Sequence, residues 1–251
     1  MSRNVIDGGV HGTPSVLDST RERERDMSIS KDGGGPGDWA QATVYIVDDN
    51  EELCSVLRRH IEKQGLSCRI FHNAEQFLEG YDPSVAGCLV LDVRMPGMNG
   101  LELQERLRSH GDMIPILILT GHADVNTVLR AWRNEASEFL QKPVSNHTLL
   151  EHIRAAVRKD LDARRSRARR DECLARINTL TKRETEVMNL VVAGRANKVV
   201  GKELGLSQKT VEVHRSNVMK KMAARSFAEL VQMVMIAKGG PGSDREGEKQ
   251  A

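Results

Sequence analysis

The apolar positions between residues 43 and 158 alternate between two patterns. Short unbroken runs, Val44-Tyr45-Ile46-Val47, Leu89-Val90-Leu91, Ile116-Leu117-Ile118-Leu119 and Phe139-Leu140, are separated by longer segments whose apolar residues recur at helical spacing. Runs of about four to eight apolar residues bounded by turn signals read as strands buried on both faces, as in a parallel sheet. Between them, 51–64 carries Leu53, Val56, Leu57 and Ile61 and closes at Gly65, and 67–71 is a further strand. Asn73 caps a short helix with Phe77 and Leu78; 100–110 carries Leu101, Leu103 and Leu107; 124–134 is a fourth helix. The fifth begins at Ser145 and carries Leu149, Leu150, Ile153 and Val157, after a strand that ends at Leu140. Such βα alternation predicts a parallel sheet with helices on both faces.

The polar residue that ends each run changes the picture. Asp92 follows Leu91 and precedes a Pro96-Gly97 turn, Asp48-Asp49 follow Val47, Thr120 ends the fourth run, and Lys142 follows the fifth. If the strands lie parallel, these ends meet at the carboxyl edge of the sheet, where α/β folds of the flavodoxin-like, doubly wound kind place their chemistry. Clustered carboxylates repel one another, and hard oxygen ligands suit Mg²⁺. A free aspartate, a lysine, a hydroxyl and a divalent cation together can accept a phosphoryl group, Asp92 attacking while Lys142 and the cation offset the charge.

Asp48-Asp49, Asp92, Thr120 and Lys142-Pro143, in this order, resemble the receiver domain of bacterial two-component response regulators. The resemblance implies that Asp92 is the phosphoacceptor and that Asp48, Asp49, Asp92 and the backbone carbonyl of Arg94 hold Mg²⁺. It implies that Thr120 binds the phosphoryl group and moves inward, that Phe139 follows it, and that a cis bond before Pro143 aims Lys142 into the pocket. Two positions depart from the pattern: Glu135 stands where a glycine is common, and Val144 where a phenylalanine is common. Both bear on the detailed shape of the helix-four and strand-five surface, which relatives often use for dimerisation after phosphorylation. Gly121 leaves a phosphoryl group at this edge open to water, so the acyl phosphate is not expected to be unusually long-lived.

Length and charge extend the reading to a second domain. The 251 residues suit two domains, and the net charge of +2 hides a polarity. Between 43 and 158 there are 12 basic and 16 acidic residues; 159–180 has 7 and 4, and 181–238 has 11 and 5. An acidic front and a basic back suit a nucleic-acid surface at the carboxyl end. Residues 1–41, with Gly33-Gly34-Gly35-Pro36-Gly37 and a run of alternating Arg and Glu, carry too few large apolar residues for a core and read as a disordered extension. Trp39 is taken as incidental there, and Met27 is an alternative start. The tail 239–251 reads the same way. With no signal peptide and no membrane-length apolar run, the expected location is the cytoplasm. Cys54, Cys68, Cys88 and Cys173 have no metal or disulfide spacing and read as packed thiols.

The receiver is expected over 42–158, followed at 159–173 by an Arg- and Ala-rich stretch. Over 158–176 and the residue that follows, Leu161, Leu174 and Ile177 provide only a sparse apolar series. Two readings stay open: a helix continuing the fifth and paired in a dimer, or a solvated charged helix or hinge. Beyond it, Thr181-Lys182-Arg183-Glu184 is a capping box leading to Val187, Met188, Leu190, Val191 and Val192 and ending near Gly194. Asn197 opens a short helix with Val199, Val200 and Leu204; Gly205 turns the chain; Ser207 caps a helix with Val211, His214 or Val218, and Met222 inward. Ser226-Phe227-Ala228-Glu229 is a second capping box before Leu230, Val231, Val234 and Met235. These are the parts of a helix-turn-helix.

Leu180 to Glu184, Gly205-Leu206-Ser207 and Lys209 to Arg215 make 174–238 resemble a four-helix LuxR-type DNA-binding domain. The outward face of its recognition helix is expected to carry Lys209, Glu212, Val213, Arg215, Ser216 and Lys220. Arg215 suits guanine, Glu212 cytosine and Val213 a thymine methyl, while Lys209, Thr210, Asn217 and Lys220 suit phosphates. His214 reads equally as a packed, backbone-bonded residue or as a contact.

Together the halves resemble a response regulator of the NarL/FixJ class. That implies a cognate sensor histidine kinase, Mg²⁺, a homodimer formed on phosphorylation, a pseudo-palindromic promoter site and RNA polymerase as a further partner. Two rivals have discriminating features. An aspartyl-phosphate phosphatase wants a carboxylate two residues after the nucleophile, where this chain has Arg94. A regulator that binds DNA independently of phosphorylation would not need the acidic pair and Lys142.

Overall fold

The computed structural model describes residues 42–121 and 124–239. The expected disorder of 1–41 and of the tail beyond Gly239, with Met27 and Trp39, lies outside the described residues. Five parallel strands, β1 (Thr43–Val47), β2 (Ser67–Phe71), β3 (Gly87–Leu91), β4 (Ile116–Thr120) and β5 (Glu138–Gln141), form one sheet in the order β2-β1-β3-β4-β5. That order is the doubly wound, flavodoxin-like one. β3 and β4 are buried at every position, which is why their sequences run apolar without alternation.

Successive residues of each strand serve opposite cores. Tyr45, Val47, Leu89, Leu91, Ile116 and Ile118 face one cluster with Phe77, Leu103 and Leu107, and Val44, Ile46, Val90, Leu117 and Leu119 face the other with Leu57, Ile61, Leu149, Ile153 and Val157. The first receives α2 (Ala74–Gly80), α3 (Gly100–Ser109) and α4 (Val125–Arg133); the second receives α1 (Glu51–Glu62) and the start of α5 (Asn146–Ile177). Asn50, Asn73, Asn99, Asp124 and Ser145 each accept from the third amide of the helix that follows, as capping residues should. On α1 the inward stripe is Cys54, Leu57 and Ile61; Val56 is exposed, one step off the buried arc. β5 continues one residue past Leu140 to Gln141.

The end of α4 explains the departure at Glu135. The amide of Ala136 donates to Ala131 O and that of Glu135 to Trp132 O, both at 3.0 Å, the paired bonds of a Schellman ending. This ending places its last residue at positive φ, and Glu135 has φ +58°. Glycine is favoured there because a side chain crowds the left-handed conformation. The neighbouring carbonyls are tied to α3: buried Gln104 donates through Nε2 to Ala131 O at 3.0 Å and Asn134 O at 2.8 Å. Arg108 donates to the carbonyls of Asp112, Ile114 and Glu135, and Arg130 pairs with Glu105 at 2.8 Å.

α5 continues without a break through the charged stretch to Ile177, so the interval read as a linker is helical. Leu161 and Ile177 are half-buried at its two ends, and Leu174 is exposed. Beyond it come α6 (Lys182–Val192), α7 (Asn197–Leu204), α8 (Gln208–Met222) and α9 (Phe227–Ala237). Thr181 and Glu184 complete the first capping box. At the second, Ser226 caps Glu229 as expected, but the Glu229 carboxylate accepts from Arg225 N at 2.7 Å, one residue upstream of the box. The core of α9 is Leu230, Met233, Val234 and Ala237; Val231 is half-buried and Met235 exposed, because the buried face lies one residue over from the sequence-based stripe. Val199 on α7 is likewise exposed. All four cysteines are free, three of them buried and Cys68 half-buried. Among the described residues, no helix is long and apolar enough to cross a membrane.

Candidate functional site

β1 and β3 are paired with Val47 opposite Leu91, so Asp48 and Asp92, the next residues, leave the sheet side by side. The amide of Asp92 donates to Val47 O at 2.9 Å, and the amide of Lys142 donates to Thr120 O at 2.9 Å, bringing the ends of β4 and β5 to the same edge. The geometry there is compact. Lys142 Nζ lies 2.6 Å from Asp48 Oδ2 and 2.9 Å from Asp92 Oδ1. The remaining oxygens accept backbone amides: Asp48 Oδ1 from Asn50 at 2.9 Å, Asp92 Oδ2 from Arg94 at 2.6 Å. Asp48, Asp92 and Thr120 are buried, Asp49 and Arg94 exposed.

These contacts set the charges. Burial raises the Asp92 carboxyl above its usual pKa, Lys142 opposes that, and Asp48 adds to it. For Lys142, burial disfavours the ammonium, but its bonds to Asp48 and Asp92 prevail and its pKa is raised. The Lys142-Pro143 bond is cis, as expected. Phe139, opposite Ile118 on β5, is half-buried against the first core cluster. Open space surrounds the position a Cβ on Gly121 would occupy, whereas a Cβ on Gly100 would come within 2.1 Å of Asp92 O. Glycine at 100 lets α3 start directly beneath the aspartate.

The second candidate surface is the face of α8. Lys209, Glu212, Val213, Ser216 and Lys220 are exposed, Val213 by 55%, and Thr210 and Asn217 are half-buried. Arg215 differs from the expectation of a free guanine donor: its Nη1 is bound to Asn197 Oδ1 at 2.6 Å, tying the recognition helix to the start of α7. Val211, Val218 and Met222 form the inward stripe. His214 is half-buried, and its shielded Nδ1 has no hydrogen-bond partner among the described residues, which removes the backbone-bonded reading. Gly205 turns α7 into α8 at φ +66°, with Leu206 N donating to Gly201 O at 2.8 Å. A contact between α6 and α8 escaped the sequence: Lys221 Nζ lies 2.7 Å from the Glu184 carboxylate, holding it below the usual carboxylate range together with Thr181.

Comparison with known proteins decides what these two surfaces belong to. Residues 44–154 match the response regulator receiver domain and residues 178–234 the bacterial regulatory proteins of the luxR family. Over 77% of its length the chain is 38% identical to transcriptional regulatory protein FixJ of Bradyrhizobium diazoefficiens, covering 95% of that protein. It is 38% identical to response regulator protein TodT of Pseudomonas putida strain F1, over 76% of this chain and 85% of that one. Among solved structures, the response regulator StyR aligns with a TM-score of 0.71 at 40% identity, over 77% of this chain and 98% of that one. The chain belongs to the NarL/FixJ family of response regulators.

As a response regulator it joins a receiver to a LuxR-type DNA-binding domain, in a family of transcriptional regulators. The receiver implies a sensor kinase as partner, and the LuxR-type domain implies DNA. Among the described residues no three His, Cys, Asp or Glu side chains are gathered into a ready-made metal cage. Yet the donors at the edge fit Mg²⁺ chemically: two adjacent buried carboxylates, an exposed Asp49 and a backbone carbonyl are hard oxygens, and Mg²⁺ keeps several waters.

Proposed function

We propose that the protein is a cytoplasmic transcription factor switched by phosphorylation of Asp92 from a sensor histidine kinase. The observation that carries this is the placement of Asp92: a buried carboxylate at the end of the central strand, next to Asp48 and 2.9 Å from Lys142 Nζ. An Asp92 oxygen forms the new bond to phosphorus, the phosphorus–nitrogen bond of the phosphohistidine breaks, and the imidazole nitrogen leaves with the bonding pair. Lys142 orients the attacking carboxylate and balances the oxygens of the transferred group. Asp48, Asp49, Asp92 and the carbonyl of Arg94 would hold Mg²⁺, which supplies charge neutralisation when bound. Thr120 receives the phosphoryl oxygens, and Phe139 responds to its movement.

The output is a homodimer on a pseudo-palindromic promoter, with RNA polymerase as a further partner. Val125, Leu129 and Trp132, all on α4 and exposed by 74%, 48% and 59%, offer the apolar surface such a dimer would cover. On α8, Glu212 and Val213 would read bases, with Arg215 doing so on release from Asn197. Lys209, Thr210, Ser216, Asn217 and Lys220 would hold phosphates. Sedimentation with Mg²⁺, with and without beryllofluoride, tests the reading. The expected result is a monomer that becomes a dimer only when beryllofluoride is present, a change lost in Asp92→Asn. Tight promoter binding by Asp92→Asn, equal to that of the beryllofluoride-treated protein, would instead make the receiver a phosphorylation-independent module.

A further inference from the structure

Far from the site, at the opposite end of β3, α5 leaves the receiver through a set of bonds the switch does not use. Asp160 is 7% exposed. Its Oδ2 accepts from Gly87 N at 2.9 Å and from Arg164 Nε at 2.7 Å. The Arg164 guanidinium continues to the carbonyls of Ser84 and Pro83, each at 2.9 Å. Asp160 and Arg164 are four apart on one helix and so share a face, here laid over the loop between α2 and β3.

The Gly87 amide needs this partner. β4 pairs with β3 only from Leu89 onward, so on that side the first amide of β3 meets no strand. A buried N–H without an acceptor is costly, and the Asp160 carboxylate supplies one. A Cβ on Gly87 would fall 1.9 Å from Thr43 O, which is why glycine stands here.

Past Arg164 the surroundings change. The side chains of residues 165–172 are all exposed, and the cleft of about 500 Å³ that runs along Asp160 and Arg164 receives only Arg167 from this stretch. Farther on, Arg170 Nε reaches Ala237 O at 3.4 Å, and Cys173, 4% exposed, sits in the core of the carboxyl-terminal helices. A helical stretch polar on every side is the kind that spans solvent between domains.

We propose that Asp160 and Arg164 are positioning residues that latch α5 to the entry of β3. The receiver's rigid body then runs through Arg164, and the exposed turn at 165–169 is the joint about which the DNA-binding domain is aimed. Any movement the receiver transmits leaves it as a swing of one helix from a fixed root. A pair that merely added helix stability would leave the direction of that helix unchanged when removed.

The test uses the full chain with Cys68→Ser and spin labels at Glu79→Cys on α2 and Ala168→Cys on α5, both exposed positions. Pulsed electron resonance is expected to give one narrow distance distribution. Asp160→Ala and Arg164→Gln should each lose the narrow component, while Asp162→Asn, a change at an exposed neighbour, should keep it. Arg164→Lys retains the pairing with Asp160 without spanning both carbonyls and should lose it in part. Protected β3 amides in hydrogen exchange establish that each variant is folded. A narrow distribution retained by folded Asp160→Ala and Arg164→Gln, or a broad one in the parent chain, would overturn the proposal.

Discussion

Replacing Lys142 by methionine is the most direct perturbation of the strand-edge site. Its Nζ holds Asp48 at 2.6 Å and Asp92 at 2.9 Å, with the two carboxylate side chains 5% and 8% exposed and its own 25%. Deleting one partner of a buried ion pair costs about 3–5 kcal/mol because the other charge is left uncompensated. Partial exposure of the lysine, and the backbone amides that Asn50 and Arg94 give the carboxylates, reduce this to about 2–3 kcal/mol. Native-state hydrogen exchange of the β3 amides, without divalent cations, should read that loss at neutral pH. The sign of its pH dependence identifies the cause. Asp92 already has a raised pKa from burial, and losing Lys142 raises it further. A carboxyl raised in the folded state contributes stability below its unfolded pKa and loses it as pH rises through the folded value. Variant and parent should therefore converge near about pH 4 and separate towards neutrality. Mg²⁺ should recover part of the gap. A gap of the same size at both pH values would refute the electrostatic account and reduce Lys142 to a packing residue.

Other expectations follow from single contacts. Glu135→Gly should stabilise the receiver by about 1 kcal/mol in urea unfolding, since it relieves the left-handed backbone at φ +58°. Gly100→Ala should destabilise it by about 3 kcal/mol, because its Cβ would sit 2.1 Å from Asp92 O and force α3 away. Lys209→Ala should weaken DNA binding evenly across sequences and reduce the slope of log affinity against log salt by about 1. Val213→Ala should leave that slope unchanged.

Apolar runs and caps made most of the fold legible. Strands buried on both faces announce themselves as unbroken apolar stretches, and Asn50, Asn73, Thr181 and Ser207 mark helix starts by a local bond of three residues' span. The strand ends placed Asp48, Asp92, Thr120 and Lys142 together because a parallel sheet has only one carboxyl edge. Interactions that pair a side chain with a distant carbonyl or amide left no such trace. Gln104 and Arg108 look like solvated helix positions, Asp160 and Arg164 like an ordinary charged turn, and nothing local links Arg215 to Asn197. Val56, Val199 and Met235 failed for another reason: a helix buries an arc narrower than its apolar residues fill, and the neighbouring element decides which of them fall outside it.

The bonds from α3 to the end of α4 also bear on mechanics. Gln104 and Arg108 grip the carbonyls of Ala131, Asn134 and Glu135, all at one end, while Val125 lies exposed at the other. A rod fastened at one end moves as a lever. Val125 lies about 13 Å along the axis from Asn134 at about 1.5 Å per residue, so a tilt of about 10° carries it about 2 Å and Ala131 only about a third as far. The fulcrum sits away from the aspartate, and the amplitude grows toward the end of α4 that follows Thr120.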